Sequence, residues 1–259
     1  MKDALSDFSS SSITLRGDTR TVYEIGDGPV VIVLSEIPGI TPLVANFARH
    51  TASRGFRVVM PHLFGDDGRE PTSRYANHQI LRACISREFT LFATKKPSRI
   101  TAWLTDLCHY VSPDLPVGVV GMCLTGGFGL AMMTDPIVAA PVLSQPSLPI
   151  GPRRRSKRAL GISDRQLAEV KERVADGACV LGLRFTGDAY VPAERFARLR
   201  QELGEGFIGI EIDSSEANPW GYRRDAHSVL TEDLGTNPES PTQKALEQVM
   251  AFFEERLRP

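Results

Sequence analysis

The sequence predicts an α/β fold with a mostly parallel central sheet covered by helices on both faces. Short, continuous apolar runs at 29–35, 56–60 and 117–120 are typical of strands that are buried on both faces. Segments in which apolar residues recur at helical spacing alternate with these runs along most of the chain. This alternation favours parallel strands joined by helical crossovers.

The individual elements follow from apolar spacing, turn residues and helix caps. A hairpin is expected around Gly17 and Asp18, and Thr41 followed by Pro42 predicts a helix start because both residues suit those positions. The predicted strands span 12–15, 21–25, 29–35, 56–60, 117–121, 137–144, 179–186 and 207–212. The predicted helices span 42–54, 81–92, 99–111, 126–133, 163–175, 192–203 and 242–257.

Residues 146–178 interrupt the alternation and are interpreted as an insertion in a single domain that spans 1–259. The insertion opens with several prolines and five basic residues up to Arg158. A solvated surface is favoured for these charges over a site for an acidic substrate or partner. A short helix follows, for which Ser163 and Gln166 predict a capping box. The insertion is placed where it could cover a site.

Composition and charge argue against several classes of protein. The chain has 259 residues and a net charge of −1, which predicts no attraction to nucleic acid or to an anionic membrane. Neither a secretory signal nor an apolar run long enough to span a bilayer is expected. Cys84, Cys108, Cys123 and Cys179 form no C-x-x-C pair, so the sequence predicts no metal site and a reducing, cytoplasmic compartment. No Gly-rich phosphate loop is present, and no cofactor is expected.

The stretch 117–129 has the pattern of a nucleophile elbow, in which a strand turns sharply into a helix and exposes the residue at the turn. Cys123 occupies the nucleophile position, and Thr125 stands where the pattern G-x-S-x-G has its last glycine. A cysteine after a buried strand can also be a small apolar core residue. The Gly-Gly pair at 126–127 allows the close backbone approach of an elbow and favours the nucleophile.

A cysteine nucleophile needs a base or a positive environment, because the thiolate is the attacking species. His227 lies between the last predicted strand and the last helix, which is where elbow enzymes carry their histidine. In these enzymes the acid comes between the nucleophile and the histidine in sequence, after the strand that precedes the last one. Asp188 has this position, because it comes just after the predicted strand at 179–186. Asp213, after the last strand, is the alternative acid, whereas Asp225 is too close in sequence to His227.

Two backbone amides are expected to form an oxyanion hole beside the elbow. One belongs to Leu124, the residue after the nucleophile, and the other to the loop after the strand at 29–35. Ile37 is the natural donor in that loop because Pro38 has no N–H. Glu36 places a carboxylate at the same edge of the sheet, where it either takes part in the site or points into water.

Four motifs together resemble the dienelactone hydrolases, which are α/β-hydrolases with a Cys-His-Asp triad. The motifs are Ser-Glu-Ile-Pro-Gly at 35–39, Gly-Met-Cys-Leu-Thr-Gly-Gly at 121–127, Gly-Asp-Ala-Tyr-Val-Pro at 187–192 and Ala-His-Ser at 226–228. The resemblance is collinear from about residue 29 to the final helix and leaves out the insertion.

The resemblance implies an α/β-hydrolase fold and a role for each matching residue. Cys123 would be the nucleophile, His227 the base and Asp188 the residue that orients the histidine. Glu36 would match the glutamate that holds the resting thiol until substrate displaces it. A carboxylate beside the sulfur disfavours the thiolate, which would protect the resting enzyme from oxidation.

The predicted function is cofactor-free hydrolysis of a small-molecule ester or lactone through an acyl-cysteine intermediate. The family's arginine shortly after the histidine has no counterpart at 228–231, so dienelactone itself is not predicted as the substrate. Candidate substrate-binding residues are Arg82, Arg87, Tyr190, Trp220 and Tyr222. A thioesterase or acyl transferase with the same triad is an alternative, as is a hydrolase-like binding or redox-sensing protein without turnover.

Overall fold

The computed structural model of the chain describes residue 3 and residues 5–72, 99–148 and 157–258. The strands are β1 (Ser9–Leu15), β2 (Asp18–Ile25), β3 (Val30–Leu34), β4 (Arg57–Pro61), β5 (Val117–Met122), β6 (Val138–Ser144), β7 (Val180–Phe185) and β8 (Phe207–Ile212). The helices are α1 (Pro42–Ser53), α2 (Arg99–Val111), α3 (Gly126–Met132), α4 (Asp164–Ala175), α5 (Ala193–Leu203) and α6 (Pro241–Leu257).

One sheet contains all eight of these strands in the order β1-β2-β4-β3-β5-β6-β7-β8. β1, β2 and β4 pair antiparallel, and the pairs from β4 to β8 are parallel. The predicted α/β fold with a mostly parallel sheet is confirmed. In the β3–β5 pair, Leu34 lies opposite Gly121. The loop after β3 and the elbow after β5 therefore leave the sheet side by side.

Two apolar layers cover the two faces of the sheet, as the alternation of elements predicts. One layer packs α2, α3, α4 and α5 against the sheet, and the other packs α1 and α6 against the opposite face. Fully buried aromatic side chains anchor both layers, with Phe128 and Trp103 in the first and Phe253 in the second. Each such side chain contributes roughly 1.5–3 kcal/mol through burial of its apolar surface.

The segment interpreted as an insertion contains the crossover between two parallel neighbours. β6 and β7 pair in parallel, and such a pair requires a connection that crosses over a face of the sheet. Helix α4 lies on that connection, and its Leu167 belongs to the apolar layer. The predicted capping box is confirmed, since Ser163 Oγ accepts from the Gln166 N–H at 3.2 Å. The basic run at 153–155 lies outside the described residues.

Within the described ranges, no helix combines the length and the apolar character needed to cross a bilayer. The predicted helix at 81–92 lies in the part of the chain that the structure does not describe.

Candidate active site

Cys123 occupies a sharp turn between strand β5 and helix α3. Its φ angle is 55°, in the left-handed region, and a 3₁₀ turn (Cys123–Thr125) joins the strand to the helix. Such a conformation costs a non-glycine residue about 1–3 kcal/mol and persists only where its surroundings hold it. A Cβ added at Gly121 would lie 2.2 Å from the carbonyl oxygen of Thr125, so the turn requires glycine there. The backbone therefore has the geometry that the elbow pattern predicts.

Thr125, at the position of the elbow's missing glycine, ties the turn to the neighbouring strand. Its side chain is fully buried, and Oγ1 lies 2.9 Å from the carbonyl oxygen of Leu34 at the end of β3. Thr125 Oγ1 also accepts a hydrogen bond from the Met122 N–H at 2.9 Å. The hydroxyl thus fixes the elbow relative to the loop that begins with Ser35.

Replacing Thr125 with valine is expected to lower the free energy of unfolding by about 1–3 kcal/mol. Valine has nearly the same shape but leaves the Leu34 carbonyl and the Met122 N–H without the hydroxyl that joins them. Chemical denaturation of Thr125→Val, with Thr125→Ser as the variant that keeps the hydroxyl, measures the effect. A Thr125→Val protein as stable as the wild type would contradict this role.

The partly exposed His227 and the buried Asp188 form a pair beside the elbow. Nδ1 of His227 lies 2.6 Å from Oδ2 of Asp188, whose side chain is 1% exposed. The other carboxylate oxygen of Asp188 accepts the Tyr190 N–H at 2.8 Å, which fixes the orientation of the carboxylate. The alternative acid is directed elsewhere: Asp213 accepts from the N–H of Ser215 at 2.9 Å.

The sulfur of Cys123 is close enough to the imidazole of His227 to influence the pKa of the histidine. Burial lowers the pKa of His227, but the negative charge of Cys123 and the hydrogen bonds to Asp188 and Cys123 outweigh burial and hold that pKa well above its ordinary value. The imidazolium form of His227 is therefore favoured near neutral pH. The stability that this protonation contributes is complete below the ordinary histidine pKa of about 6.5 and is lost as the pH rises through the raised value.

The carboxylate of Glu36 is buried and receives hydrogen bonds from side chains of two other loops. Gln145 Nε2 donates to Oε2 at 3.0 Å and Ser228 Oγ donates to the same oxygen at 2.8 Å. Thr231 Oγ1 donates to Oε1. Burial raises the pKa of Glu36, against the lowering effect of these three donors and of the charge on His227.

The resemblance leads one to expect Glu36 on the resting thiol, and the structure gives a different arrangement. Its carboxylate oxygens are occupied by the donors just described, and Ser147 Oγ lies beside the sulfur instead, at 3.1 Å from Sγ. The physical reason is the set of hydroxyls after His227. Thr231 and Ser228 donate hydrogen bonds to the buried carboxylate, and these hydrogen bonds take the place of a contact with the thiol.

The two residues predicted for the oxyanion hole lie in the elbow and in the loop after β3, which leave the sheet side by side. Leu124 is the second residue of the 3₁₀ turn, and Ile37 follows Glu36 in the loop after β3. The side chains of Ile37, Leu124 and Cys123 all pack against the same apolar layer. The Ile37–Pro38 peptide is cis.

The predicted substrate-binding residues have different surroundings. Tyr190 is 66% exposed, and its ring meets the His227 imidazole edge-on with ring centres 5.6 Å apart. Trp220 is partly exposed on the loop after β8. Tyr222 instead serves the fold, since its hydroxyl lies 3.0 Å from Thr242 Oγ1 and its ring packs on Phe185. The structure does not describe the two arginines at positions 82 and 87.

Sequence reasoning missed several residues that the structure brings to the site. Ser147 belongs to the segment at 146–178 that the pattern places outside the resemblance, and Gln145 directly precedes that segment. Arg195 has the pattern of an ordinary residue of an amphipathic helix. The strand order gives the missing signal, because β6 is the neighbour of β5 and its loop must lie beside the elbow. Among the residues whose placement is described, no group of three or more His, Cys, Asp or Glu side chains could hold a metal ion.

Solved structures with the same fold carry names of related chemistry. The chain is similar to dienelactone hydrolase from Anabaena variabilis, with 15% identity, a TM-score of 0.61, and coverage of 97% of this chain and 98% of that one. It is similar to a cold-adapted esterase from an Arctic intertidal metagenomic library, with 13% identity, a TM-score of 0.57, and coverage of 100% and 98%. The thioesterase domain from the curacin biosynthetic pathway has 11% identity, a TM-score of 0.58, and coverage of 94% and 99%. Identities this low show a shared fold and no more.

Sequence comparison gives the family directly. A search of the curated proteins found no match. The model of the dienelactone hydrolase family matches residues 20–257, a range that includes the segment at 146–178 and begins before the first motif of the resemblance. Because this match covers most of the sequence, the chain belongs to the dienelactone hydrolase family.

Proposed function

We propose that this member of the family hydrolyses carboxylic esters or lactones through an acyl-cysteine intermediate. The observation that carries the proposal is the grouping of the strained Cys123 with His227, whose pKa it raises, and with the buried Asp188, whose Oδ2 lies 2.6 Å from Nδ1 of His227. Nucleophile, base and orienting acid in hydrogen-bond contact are the arrangement that acyl transfer requires.

In the proposed acylation step, the Cys123 thiolate attacks the carbonyl carbon of the ester and forms a carbon–sulfur bond. The negative charge that develops on the carbonyl oxygen is stabilised by the amides of Leu124 and Ile37. The carbon–oxygen bond to the leaving group then breaks, and the His227 imidazolium donates its proton to the departing alkoxide. In a lactone the leaving hydroxyl stays on the same molecule.

In the proposed deacylation step, water takes the place of the leaving alcohol and His227 acts as the base. Neutral His227 removes a proton from water, and the resulting hydroxide attacks the thioester carbonyl. The carbon–sulfur bond breaks, the acid product leaves, and the thiolate–imidazolium pair is restored. Asp188 accepts a hydrogen bond from Nδ1 of His227, so that the other ring nitrogen is the one that transfers the proton.

Glu36 acts in this scheme by position rather than by contact with the reacting atoms. It precedes Ile37 in the oxyanion loop, and it binds Ser228, the residue after His227. Its carboxylate therefore fixes the distance between the amide that stabilises the oxyanion and the base that moves the proton. A displacement of about 1 Å in such a pair can cost about a hundredfold in rate.

The identity of the acylated residue tests the proposal. We expect p-nitrophenyl acetate to be hydrolysed and an acid-quenched reaction to carry an acetyl group on the Cys123 peptide, as detected by mass spectrometry. Iodoacetamide should modify Cys123 at about pH 7, because His227 provides a base and a positive charge beside the sulfur.

The other described cysteines serve as internal controls. Burial raises the pKa of Cys108 to about 12, so it should stay unmodified, and Cys179 lies at the surface where it accepts from Arg256 Nη2 at 3.1 Å. Loss of turnover should follow the modified fraction of Cys123 alone. Turnover that survives complete alkylation of Cys123, or an acetyl group found on another residue, would rule the mechanism out.

A further inference from the structure

Ser147 contacts the sulfur of Cys123 from the loop that follows β6. Its hydroxyl oxygen lies 3.1 Å from Sγ, and its backbone N–H donates to the carbonyl oxygen of Cys123 at 2.9 Å. Because both contacts join the same two residues, Ser147 is fixed relative to the nucleophile at two points. Its side chain is buried, so the hydroxyl is largely shielded from bulk water.

Chemistry fixes the direction of the contact between the hydroxyl and the sulfur. A thiolate has no proton to donate, whereas a serine hydroxyl donates one hydrogen bond. The raised pKa of the neighbouring His227 favours a protonated imidazole, so this ring faces the sulfur as a donor and not as an acceptor. Among the described residues, Asp188 contacts the imidazole of His227, and Asp233 accepts the backbone N–H of His227. Glu36 is joined to the Ser147 loop through Gln145, and Arg195 donates to the Pro146 carbonyl oxygen in that loop.

The residues before Ser147 are held in a strained conformation by buried polar contacts. Gln145 has a φ angle of 35°, and it is fully buried. Its N–H donates to the carbonyl oxygen of Leu183 at 2.8 Å, and its side chain is held between Ser144 and Glu36. Strain of this kind persists where the surrounding structure over-determines it, and such residues cluster at functional sites.

Arg195 holds the same loop from the other side. Its side chain is buried, and its guanidinium donates to the carbonyl oxygens of Pro146 at 2.6 Å, Tyr190 at 3.1 Å and Ala159 at 2.8 Å. Burial lowers the pKa of Arg195 to about 10, against the effect of the charge on Asp188. One buried cation thus ties the residue before Ser147 to the loop that carries the acid of the triad.

We propose that Ser147 is a further catalytic residue, whose hydroxyl donates a hydrogen bond to the Cys123 thiolate in the resting enzyme and loses that acceptor when the sulfur is acylated. No bond to Ser147 is made or broken, and its proton stays on Oγ. The sulfur of a thioester is neutral and accepts hydrogen bonds weakly, so acylation frees the hydroxyl. The acylation half of this inference rests on the proposed ester hydrolysis, whereas the contact with the thiolate does not.

The pH dependence of cysteine alkylation tests the inference. We expect Ser147→Ala to slow the alkylation of Cys123 by iodoacetamide about tenfold at about pH 6, the scale of one hydrogen bond to a charged group. At about pH 10 the rates should agree, because the thiol is ionised in both proteins. Ser147→Thr keeps the hydroxyl and should recover most of the wild-type rate at the lower pH. The rates are measured by mass spectrometry of the Cys123 peptide.

Ser112→Ala is the matched control, because Ser112 and Ser147 are each 7% exposed and Ser112 Oγ donates to the carbonyl oxygen of Leu115 at 2.7 Å, away from the site. It should leave alkylation unchanged. Ser147→Gly, which also removes the hydroxyl, replaces Ser147→Ala if that variant does not fold.

Three results would overturn the inference: wild-type alkylation of Ser147→Ala at every pH, an equal slowing at every pH, or the same slowing in Ser112→Ala. Alkylation requires no ester turnover, so the two proposals fail separately. A pH-dependent loss in a protein that hydrolyses no ester would retain the role of Ser147 in stabilising the thiolate and remove the proposed function. Ester turnover by the wild type together with unchanged alkylation of Ser147→Ala would retain the proposed function and remove the role of Ser147.

Discussion

Cys123→Ala is expected to reduce ester turnover by about six orders of magnitude, to the background rate, while the protein stays folded. Alanine removes the only atom that the mechanism joins to substrate, and it can take up the same left-handed backbone at a similar cost, so the stability should change little. The same variant should lower the pKa of His227, because the charge on Cys123 helps to hold that pKa up against burial. Turnover of p-nitrophenyl acetate and an NMR titration of the His227 ring measure the two effects.

Cys179→Ala controls for the loss of a thiol elsewhere on the protein. Cys179 lies on the connection between α4 and β7, and its sulfur is bound by Arg256, so the variant should keep full turnover and an unchanged His227 titration. If Cys123→Ala retained more than a trace of turnover in a preparation free of other esterases, the acyl-cysteine mechanism would be excluded. An unchanged pKa of His227 in that variant would show that the thiolate–imidazolium pair does not form.

Asp188→Asn is expected to lower kcat by about 10³–10⁴ with little change in the fold. Asparagine fits the space and its oxygen can still accept the Tyr190 N–H, but its amide group would then face Nδ1 of His227 as a donor. The imidazole would be forced into the wrong tautomer, and the charge that favours the imidazolium would be lost. Steady-state kinetics as a function of pH, together with the thermal midpoint, separates this effect from unfolding.

Asp213→Asn is the matched control for the acid. The Asp213 carboxylate is exposed and accepts hydrogen bonds from the N–H and the hydroxyl of Ser215 at 2.9 and 3.2 Å, so it orients its own loop rather than the histidine. Turnover of Asp213→Asn should stay within about twofold of the wild type. A large loss there, with a small one in Asp188→Asn, would exchange the roles of the two acids.

The sequence predicts the elements well because most of them are defined by local patterns. The largest difference in the described strands lies in the first hairpin, where β1 begins at Ser9 rather than at residue 12. The serine-rich start shows no apolar alternation, and it becomes a strand because Ser9 pairs with Glu24 across the hairpin. Pairing with a partner strand is not a local property, and the sequence pattern does not contain it.

The residues of the site also differ in whether a local sequence pattern predicts them. The spacing of motifs along the chain places Cys123, Asp188 and His227 in the order that elbow enzymes use, and each follows a recognisable strand. The role of Ser147 depends instead on which strand lies next to β5, which only the assembled sheet shows. Likewise Thr231 is a common residue in a loop, and only its contact with Glu36 gives it significance.

The buried carboxylate of Glu36 restricts how this enzyme could diversify. It joins loops that leave three different strands, and hydroxyl or amide groups at positions 145, 228 and 231 donate three hydrogen bonds to it. Removal of any one of them leaves a buried charge short of a donor, so their effects should not add. Descendants of this chain are therefore expected to exchange these positions together or to keep them all. New substrate preferences would arise more readily at exposed neighbours such as Tyr190, where a change disturbs none of the three loops.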